Sequence, residues 1–205
     1  FRVENIDNTA RAGLIKTKHG TIKTPVFMPV GTSATVKALF PRDLLDLDIE
    51  VILANTYHLM LRPGENLIKK IGGLHSFMNW SRPILTDSGG FQIWSLSKLR
   101  KIVDDGIHFT SHLDGNTYKL TPEKSILIQE KLNSTISMVL DECTEYPASY
   151  KRSKDSMNLS IEWAERCKKK FKKRNGYGIF GIIQGGMYND LRKFCYNELW
   201  IDGSI

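Results

Sequence analysis

The chain has 205 residues, of which 41% are hydrophobic and 25% are charged, the composition of an ordinary soluble globular protein that can bury a core. It contains no run of about 18 apolar residues, and its start lacks the basic-then-apolar pattern of a signal peptide, which argues against a membrane-spanning or secreted protein. We therefore expect a cytoplasmic protein.

The cysteines argue against a disulfide-linked or metal-binding chain. Cys143, Cys167 and Cys195 are odd in number and far apart. This spacing provides neither a disulfide framework nor the close pairs of a zinc site, so we expect reduced thiols and no metal within residues 1–205.

The net charge of +7 favours an anionic partner, but part of it comes from one basic cluster between residues 166 and 174. Such a cluster is usually the solvated face of a helix and only sometimes a phosphate-binding surface. Charge therefore leaves a nucleic-acid partner open without establishing one.

The start of the chain predicts a β-hairpin cap and then a first β-α unit. The hairpin is predicted over residues 12–15 and 20–24, with glycines at its turns. Residues 26–30 form an apolar, strand-like run. The helix over residues 41–47 begins with Pro41, which suits the first turn of a helix.

Two more parallel strands are predicted in the first half of the chain. The strand over residues 51–55 is followed by a helix over residues 64–71. The strand over residues 83–87 ends in a carboxylate and then two glycines, as a buried strand does when it enters a functional loop. Turn signals predict a β-rich insertion over residues 98–120, before a helix that Thr121 can cap.

The second half of the chain predicts two further strands and a long basic helix. The fourth strand, over residues 136–140, continues directly into Asp141. An amphipathic helix follows over about residues 153–173, and the fifth strand, over residues 177–183, leads to Gln184. Nearly all-apolar strands that alternate with helices are typical of a parallel sheet buried on both faces.

Polar residues at the strand ends favour a (β/α) barrel over an open doubly wound sheet. Four predicted strands end at such residues: Asn55, Asp87, Asp141 and Gln184. In a closed barrel these ends converge on one mouth, whereas an open sheet spreads them along a crevice. Because a barrel needs eight β-α units and the chain has about five, residues 1–205 are expected to be the amino-terminal part of a single (β/α)8 TIM barrel domain, with residues 98–120 inserted after strand three.

Asp87 has two interpretations in the sequence. Its carboxylate could cap the turn or helix that follows, or it could act in chemistry. Similarly, Gln184 could contact a ligand or only tie down its own loop.

Two carboxylates, two amides and neighbouring glycines suit a flat, polar ligand, because glycine lets a ligand approach the backbone closely. Guanine is such a ligand. Its N1–H and exocyclic amine are adjacent donors that one carboxylate can accept with both oxygens, while O6 and N7 need donors such as an amide. Either Asp87 or Asp141 could accept that donor pair.

Five motifs resemble those of the tRNA-guanine transglycosylases, the queuine tRNA-ribosyltransferase family. They are residues 54–64 (ANTYHLMLRPG), 86–92 (TDSGGFQ), 114–115 (DG), 140–147 (LDECTEYP) and 183–186 (IQGG). One motif would be weak, whereas five in the same order and spacing, between about Gly13 and Arg192, make the resemblance specific.

The resemblance implies a (β/α)8 barrel with an insertion and a zinc-binding subdomain. It also implies an enzyme of queuosine biosynthesis that exchanges guanine at the wobble position of tRNAs with a GUN anticodon for a 7-deazaguanine. Such an enzyme must take the target base out of its stack, and an aspartate nucleophile then forms a covalent enzyme–RNA intermediate.

The resemblance further implies roles for single residues. Asp87 would be the general acid and base, Asp141 would accept the donor pair of the base, and Gln184 would bind its other side. Phe91 lies where the family stacks an aromatic ring on the base. The remaining expected substrate contacts are Asn55, Ser88, Cys143 and Gly185.

Three parts of the family pattern are absent from residues 1–205. The nucleophilic aspartate lies on a later strand, a Gly-rich segment helps to read the base, and the zinc ligands, three closely spaced cysteines and a histidine, come later still. We therefore expect a truncated chain that is inactive by itself and has exposed sheet edges. Zinc and a homodimer are expected only of the full-length protein.

Cys143 in the Asp-Glu-Cys segment resembles the bacterial branch of the family, since the eukaryotic enzymes tend to carry valine there. This favours preQ1 over queuine as the incoming base. The basic helix over residues 153–173 could lie near the tRNA backbone, although the family's tRNA contacts come heavily from the carboxyl-terminal part.

The alternative is a non-catalytic tRNA-binding or accessory subunit of the same family. The presence of both Asp87 and Asp141 argues against it, because a scaffold needs neither carboxylate. A different barrel enzyme that binds a purine-like metabolite is disfavoured by the ordered motifs.

Overall fold

The computed structural model describes residues 1–97 and 99–200. Lys98, the first residue of the predicted insertion, lies outside the described residues. The chain forms two compact units. The first comprises residues 1–87, 128–137 and 172–178, and the second comprises residues 88–127, 138–171 and the chain from residue 179.

Short strands and helices of mixed order make up the described chain. The strands are β1 (Arg2–Asp7), β2 (Ala10–Thr17), β3 (Gly20–Thr24), β4 (Val30–Gly31), β5 (Ile52–Ala54), β6 (Ile84–Thr86), β7 (Arg100–Val103), β8 (Gly106–Thr110), β9 (Thr117–Leu120), β10 (Ile136–Met138) and β11 (Gly178–Phe180). The helices are α1 (Pro41–Asp46), α2 (Thr56–Leu61), α3 (Glu65–Ile71), α4 (Leu74–Met78), α5 (Gly90–Leu96), α6 (Pro122–Leu132), α7 (Tyr150–Lys170) and α8 (Asn189–Trp200).

The five predicted parallel strands are present and form one sheet, in the order β11-β10-β6-β5-β4. Leu53 of β5 pairs with Val30 on one side and with Leu85 of β6 on the other, and Leu85 pairs with Ile136 of β10. All three residues of β6 are buried. The chain is therefore an α/β protein with a parallel sheet, as the sequence predicts.

The predicted strand over residues 26–30 is wrong in its extent, because only Val30 and the following glycine are in a strand. Pro25 and Pro29 have no N–H group to donate to a neighbouring strand. Pro29 still accepts a hydrogen bond from Leu53 through its carbonyl, at 3.0 Å, while Phe27 is 75% exposed.

The start of the chain has one strand more than predicted. β2 and β3 form the predicted hairpin, and β1 pairs with β2 to complete a three-stranded antiparallel sheet. All six residues of β1 are exposed, so no apolar face reveals this strand in the sequence.

The second unit contains another three-stranded antiparallel sheet, β7-β8-β9, in the region predicted to hold hairpins. The helix that follows is capped as predicted, because the Lys124 N–H group donates to Thr121 Oγ1 at 3.2 Å. The core between α7 and α8 contains Met157, Leu191 and Cys195.

The long basic helix runs from Tyr150 to Lys170, so the predicted range of 153–173 is wrong at both ends. Ser149 starts the helix by accepting a hydrogen bond from the Arg152 N–H group at 3.2 Å. The backbone becomes extended at Phe171, so the last basic residues of the cluster follow the helix and do not lie on it.

Four helices lie where the sequence predicts none: α2, α4, α5 and α8. The first three have only five to seven residues, too few for an apolar period to be recognised. Within residues 1–97 and 99–200, no helix has both the length and the apolar character that crossing a membrane requires.

All three cysteines are free thiols, as predicted. Cys167 and Cys195 are fully buried, whereas Cys143 is half-buried. Burial raises the pKa of Cys167 to about 12, so this thiol stays protonated at neutral pH.

Two stacked histidines connect the amino-terminal sheet to the parallel sheet in the first unit. The His19 and His75 rings lie 3.7 Å apart between centroids, and both rings contact the Thr135 hydroxyl, at 2.8 Å and 3.3 Å. The same hydroxyl accepts the Ile84 N–H group at the start of β6. Because the His19 and His75 rings are stacked, protonation of either ring would place a positive charge beside the other ring.

Burial, and next the neighbouring His19 ring, lower the pKa of His75 from 6.5 to about 4, while an interaction with the Arg82 backbone opposes this shift. Burial also lowers the pKa of His19, with Lys18 and Arg174 adding to the effect. Both histidines are thus favoured as neutral rings in the folded chain.

We predict that the chain loses stability as the pH falls from about 6.5 toward about 4, because in that window the unfolded chain binds more protons than the folded chain. Urea unfolding at a series of pH values measures this. A His75→Gln variant should lose much of this pH dependence, whereas His108→Gln on β8 should keep it. Equal slopes in the wild type and His75→Gln would contradict the prediction.

Candidate active site

Asp87 lies at the end of β6 and is held by the end of β5. Its N–H group donates to the Ala54 carbonyl at 3.1 Å. Its carboxylate accepts hydrogen bonds from the Asn55 side-chain amide and, at 2.9 Å, from the Thr56 N–H group. The Thr56 hydroxyl donates to the Asp87 carbonyl at 2.6 Å. Two donors from one neighbouring loop therefore fix the direction of this carboxylate.

The Asp87 carboxylate caps α2, a helix that precedes it in the chain. Gly89 is the residue before α5, and the Gly90 N–H group is accepted by Ser88 Oγ at 3.3 Å. The group that the Asp87 carboxylate accepts from α2 is the first N–H group of that helix, at 2.9 Å.

Asp141 lies in the second unit and contacts two other predicted site residues. Gln184 Nε2 donates to Asp141 Oδ2 at 2.6 Å. Ser88 Oγ lies 3.5 Å from Oδ1, at the outer limit of a hydrogen bond. The structure thus brings Ser88 and Gln184 to the carboxylate of Asp141.

Gly90 is glycine because the loop with Asp141 passes close to it. A Cβ atom on Gly90 would lie 2.8 Å from the Asp141 carbonyl oxygen and 3.4 Å from Ser88 Oγ. Gly185 also has a structural explanation, since its φ is +124° and a Cβ atom there would lie 2.8 Å from the Arg192 backbone nitrogen. The ligand contact expected of Gly185 stays a prediction.

Phe91 is 57% exposed and stacks on Trp94, with 5.9 Å between the ring centroids. The Arg100 guanidinium lies 5.8 Å from the centroid of the Trp94 ring. An exposed, supported aromatic face of this kind can stack on a planar ligand.

Cys143 follows Asp141 by two residues, and its thiol is kept neutral. Burial, and next the charge of Asp141, raise the pKa of this thiol. A protonated thiol is a weak nucleophile, so Cys143 is better suited to line a pocket than to form a covalent bond.

Two residues of the candidate site, Thr56 and Gln92, are not among the site residues predicted from the sequence. Thr56 holds Asp87 through both its N–H group and its hydroxyl. The side-chain oxygen of Gln92 is buried and has no hydrogen-bond partner among the residues that the structure describes. A buried acceptor without a partner is a candidate for a ligand contact. The sequence contains a hint to this residue, because Gln92 is the last residue of the motif that contains Asp87.

The basic cluster lies at the far end of α7 from Asp141. The residue after Asp141, Glu142, contacts Ser156, and Lys169 follows thirteen residues later, which is about 20 Å along a helix. In this cluster Arg166 is paired with Glu123 at 2.7 Å. These contacts favour the interpretation of a solvated helix face.

No three His, Cys, Asp or Glu side chains within residues 1–97 and 99–200 are grouped so that they could hold a metal ion.

Comparison with known proteins identifies the class to which this fold and these residues belong. Residues 7–203 match the family described as Queuine tRNA-ribosyltransferase. Because the match covers nearly the whole sequence, the chain belongs to the queuine tRNA-ribosyltransferase family, and the resemblance of its five motifs to that family is confirmed.

The similarity to individual members is high. The chain is 58% identical over 190 residues to the queuine tRNA-ribosyltransferase of Thermoanaerobacter sp. (strain X514), a match that covers 93% of this chain and 51% of the relative. It is 54% identical over 199 residues to that of Rickettsia bellii (strain RML369-C), covering 97% of this chain and 55% of the relative. The chain thus spans about half the length of the curated relatives it matches.

We predict that Gly90→Ala lowers the free energy of unfolding by about 1–3 kcal/mol, because the new methyl group overlaps the Asp141 carbonyl and the backbone must shift. Gly178→Ala is the matched control, since a Cβ atom on Gly178 has nothing within 4 Å. Urea unfolding of both variants measures the difference. Equal stabilities would show that the contact at Gly90 is relieved without cost.

Proposed function

We propose that this chain supplies the base-recognition and proton-transfer residues of a tRNA-guanine transglycosylase. The reaction replaces guanine at the wobble position of tRNAs with a GUN anticodon by preQ1, in queuosine biosynthesis, through a covalent enzyme–RNA intermediate. The observation that carries this proposal is the hydrogen bond of 2.6 Å between Gln184 and Asp141, which sets a carboxylate and an amide side by side.

This pair matches the edge of guanine. The two oxygens of Asp141 would accept N1–H and the exocyclic amine of the base, and Gln184 would turn its amide donor to O6. The neutral thiol of Cys143 and the Ser88 hydroxyl would border the base, with Phe91 stacking on its face. A base that occupies both Asp141 oxygens would replace the hydrogen bond from Gln184.

Asp87 would transfer the proton in both half-reactions. As an acid it would protonate the departing guanine, and as a base it would then take a proton from the incoming preQ1. The hydrogen bonds from Asn55 and Thr56 support this role, because they fix the direction of the carboxylate before a substrate binds.

The complete protein is proposed to be a (β/α)8 barrel that includes the five parallel strands, with residues 98–120 as an insertion. The covalent nucleophile and the zinc ligands would come from outside residues 1–205, so this chain would be inactive by itself. The complete protein is also proposed to form a homodimer.

We predict that Asp87→Asn lowers exchange by about 10²- to 10⁴-fold, because an amide cannot transfer the proton. The assay is incorporation of radiolabelled guanine into tRNA by the complete gene product. Asp155→Asn is the control, since Asp155 pairs with Lys151 on the exposed side of α7. Unchanged exchange in Asp87→Asn would reject the acid–base role.

We predict that Asp141→Asn raises the KM for guanine by roughly 10- to 100-fold, because the loss of one charged acceptor leaves a base donor without its partner. The kcat at saturating guanine should fall less than in Asp87→Asn. Steady-state kinetics with guanine as the varied substrate distinguish the two variants, and an unaltered KM would assign base recognition to other residues.

A further inference from the structure

The loop that carries Asp141 is attached to α7 through its next residue, Glu142. The Glu142 N–H group donates to Ser160 Oγ at 3.0 Å, and its carbonyl accepts from Ser156 Oγ at 3.4 Å. Its carboxylate accepts from Arg152 Nη2 at 2.5 Å. Three turns of one helix therefore hold the backbone and the side chain of a single residue.

The ion pair between Arg152 and Glu142 is the charged part of this attachment. The Glu142 side chain is 5% exposed, and burying a carboxylate to this extent requires a partner within the protein. Arg152 also donates through Nε to Glu145 at 3.1 Å. One guanidinium thus binds the loop on both sides of Cys143.

Gln184, the other half of the proposed base-reading pair, is attached separately. Its N–H group donates to the Cys195 sulfur on α8 at 3.2 Å. The two groups that meet at 2.6 Å are therefore held by two different helices, and a looser loop on α7 would move Asp141 without moving Gln184.

We propose that Arg152 is a positioning residue for base recognition: by pairing with Glu142 and Glu145 it fixes the loop so that the Asp141 carboxylate faces Gln184. This inference rests on the proposed function. Neither of the two carboxylates that Arg152 pairs with is Asp141, so its effect passes through the Glu142 backbone to the carboxylate that precedes it.

The test uses Arg152→Met in the complete gene product, with guanine exchange into tRNA as the assay. The KM for guanine is expected to rise about 10-fold or more, while kcat and the KM for tRNA change less than about 3-fold, since backbone phosphates dominate tRNA affinity. Arg152→Lys, which keeps the charge but not the two-sided contact, should give an intermediate KM.

Arg166→Met is the matched control. Arg166 lies on the same helix and likewise binds two carboxylates, those of Glu123 and Asp105. Its removal should leave the KM for guanine unchanged. An equal rise in both Met variants, or no rise in Arg152→Met, would overturn the inference.

A folding defect can be separated from a positioning defect. If Arg152→Met does not fold, because Glu142 is left as an unpaired buried charge, the double variant Arg152→Met with Glu142→Met removes that charge. The double variant should regain thermal stability and keep the raised KM. A folded double variant, or a folded Arg152→Lys, with the wild-type KM would refute the positioning role.

Measurements on the wild-type protein separate failure of the proposed function from failure of the positioning role. If the wild type neither binds guanine by calorimetry nor exchanges it, the proposed function fails. If the wild type does both, and Arg152→Met does so with the same KM, only the positioning role fails.

Discussion

Parallel pairing of β5 with β6 determines where the polar residues of the first unit lie. Ala54 is paired with Thr86, so the next residue of each strand, Asn55 and Asp87, must leave the sheet side by side. The hydrogen bond from the Asp87 N–H group to Ala54 extends this register by one step. A carboxylate whose direction is fixed by a neighbouring strand follows directly from the pairing of two short apolar segments.

The sequence predicts the parts of the fold that depend on buried strands. The apolar runs of β5, β6 and β10 identify the parallel sheet, because such strands must be covered on both faces. Short helices such as α2 and α5 cannot be recognised, since a few residues after a strand do not establish a helical period. The partner of Asp87 could not be predicted either, because a cap from an earlier loop is a long-range contact.

In the second unit, helices also fix the position of residues that follow the strands. Two thiols that the sequence leaves without a function are acceptors for backbone N–H groups next to the site: Cys167 accepts from Leu140 at 3.3 Å, and Cys195 accepts from Gln184 at 3.2 Å. A thiol is small and largely apolar, so it can pack in a core and still accept a hydrogen bond from a backbone N–H group. Cys167 and Cys195 are therefore packing residues that also orient the loops.

The unequal burial of these thiols makes Cys143 a natural position for a spectroscopic probe. Cys167 and Cys195 are sealed in the core, whereas Cys143 is partly open and lies two residues from Asp141. A maleimide dye would therefore attach selectively without any engineered cysteine, although slowly, because the raised pKa leaves little thiolate. Its emission would report directly on the environment of the Asp141 carboxylate.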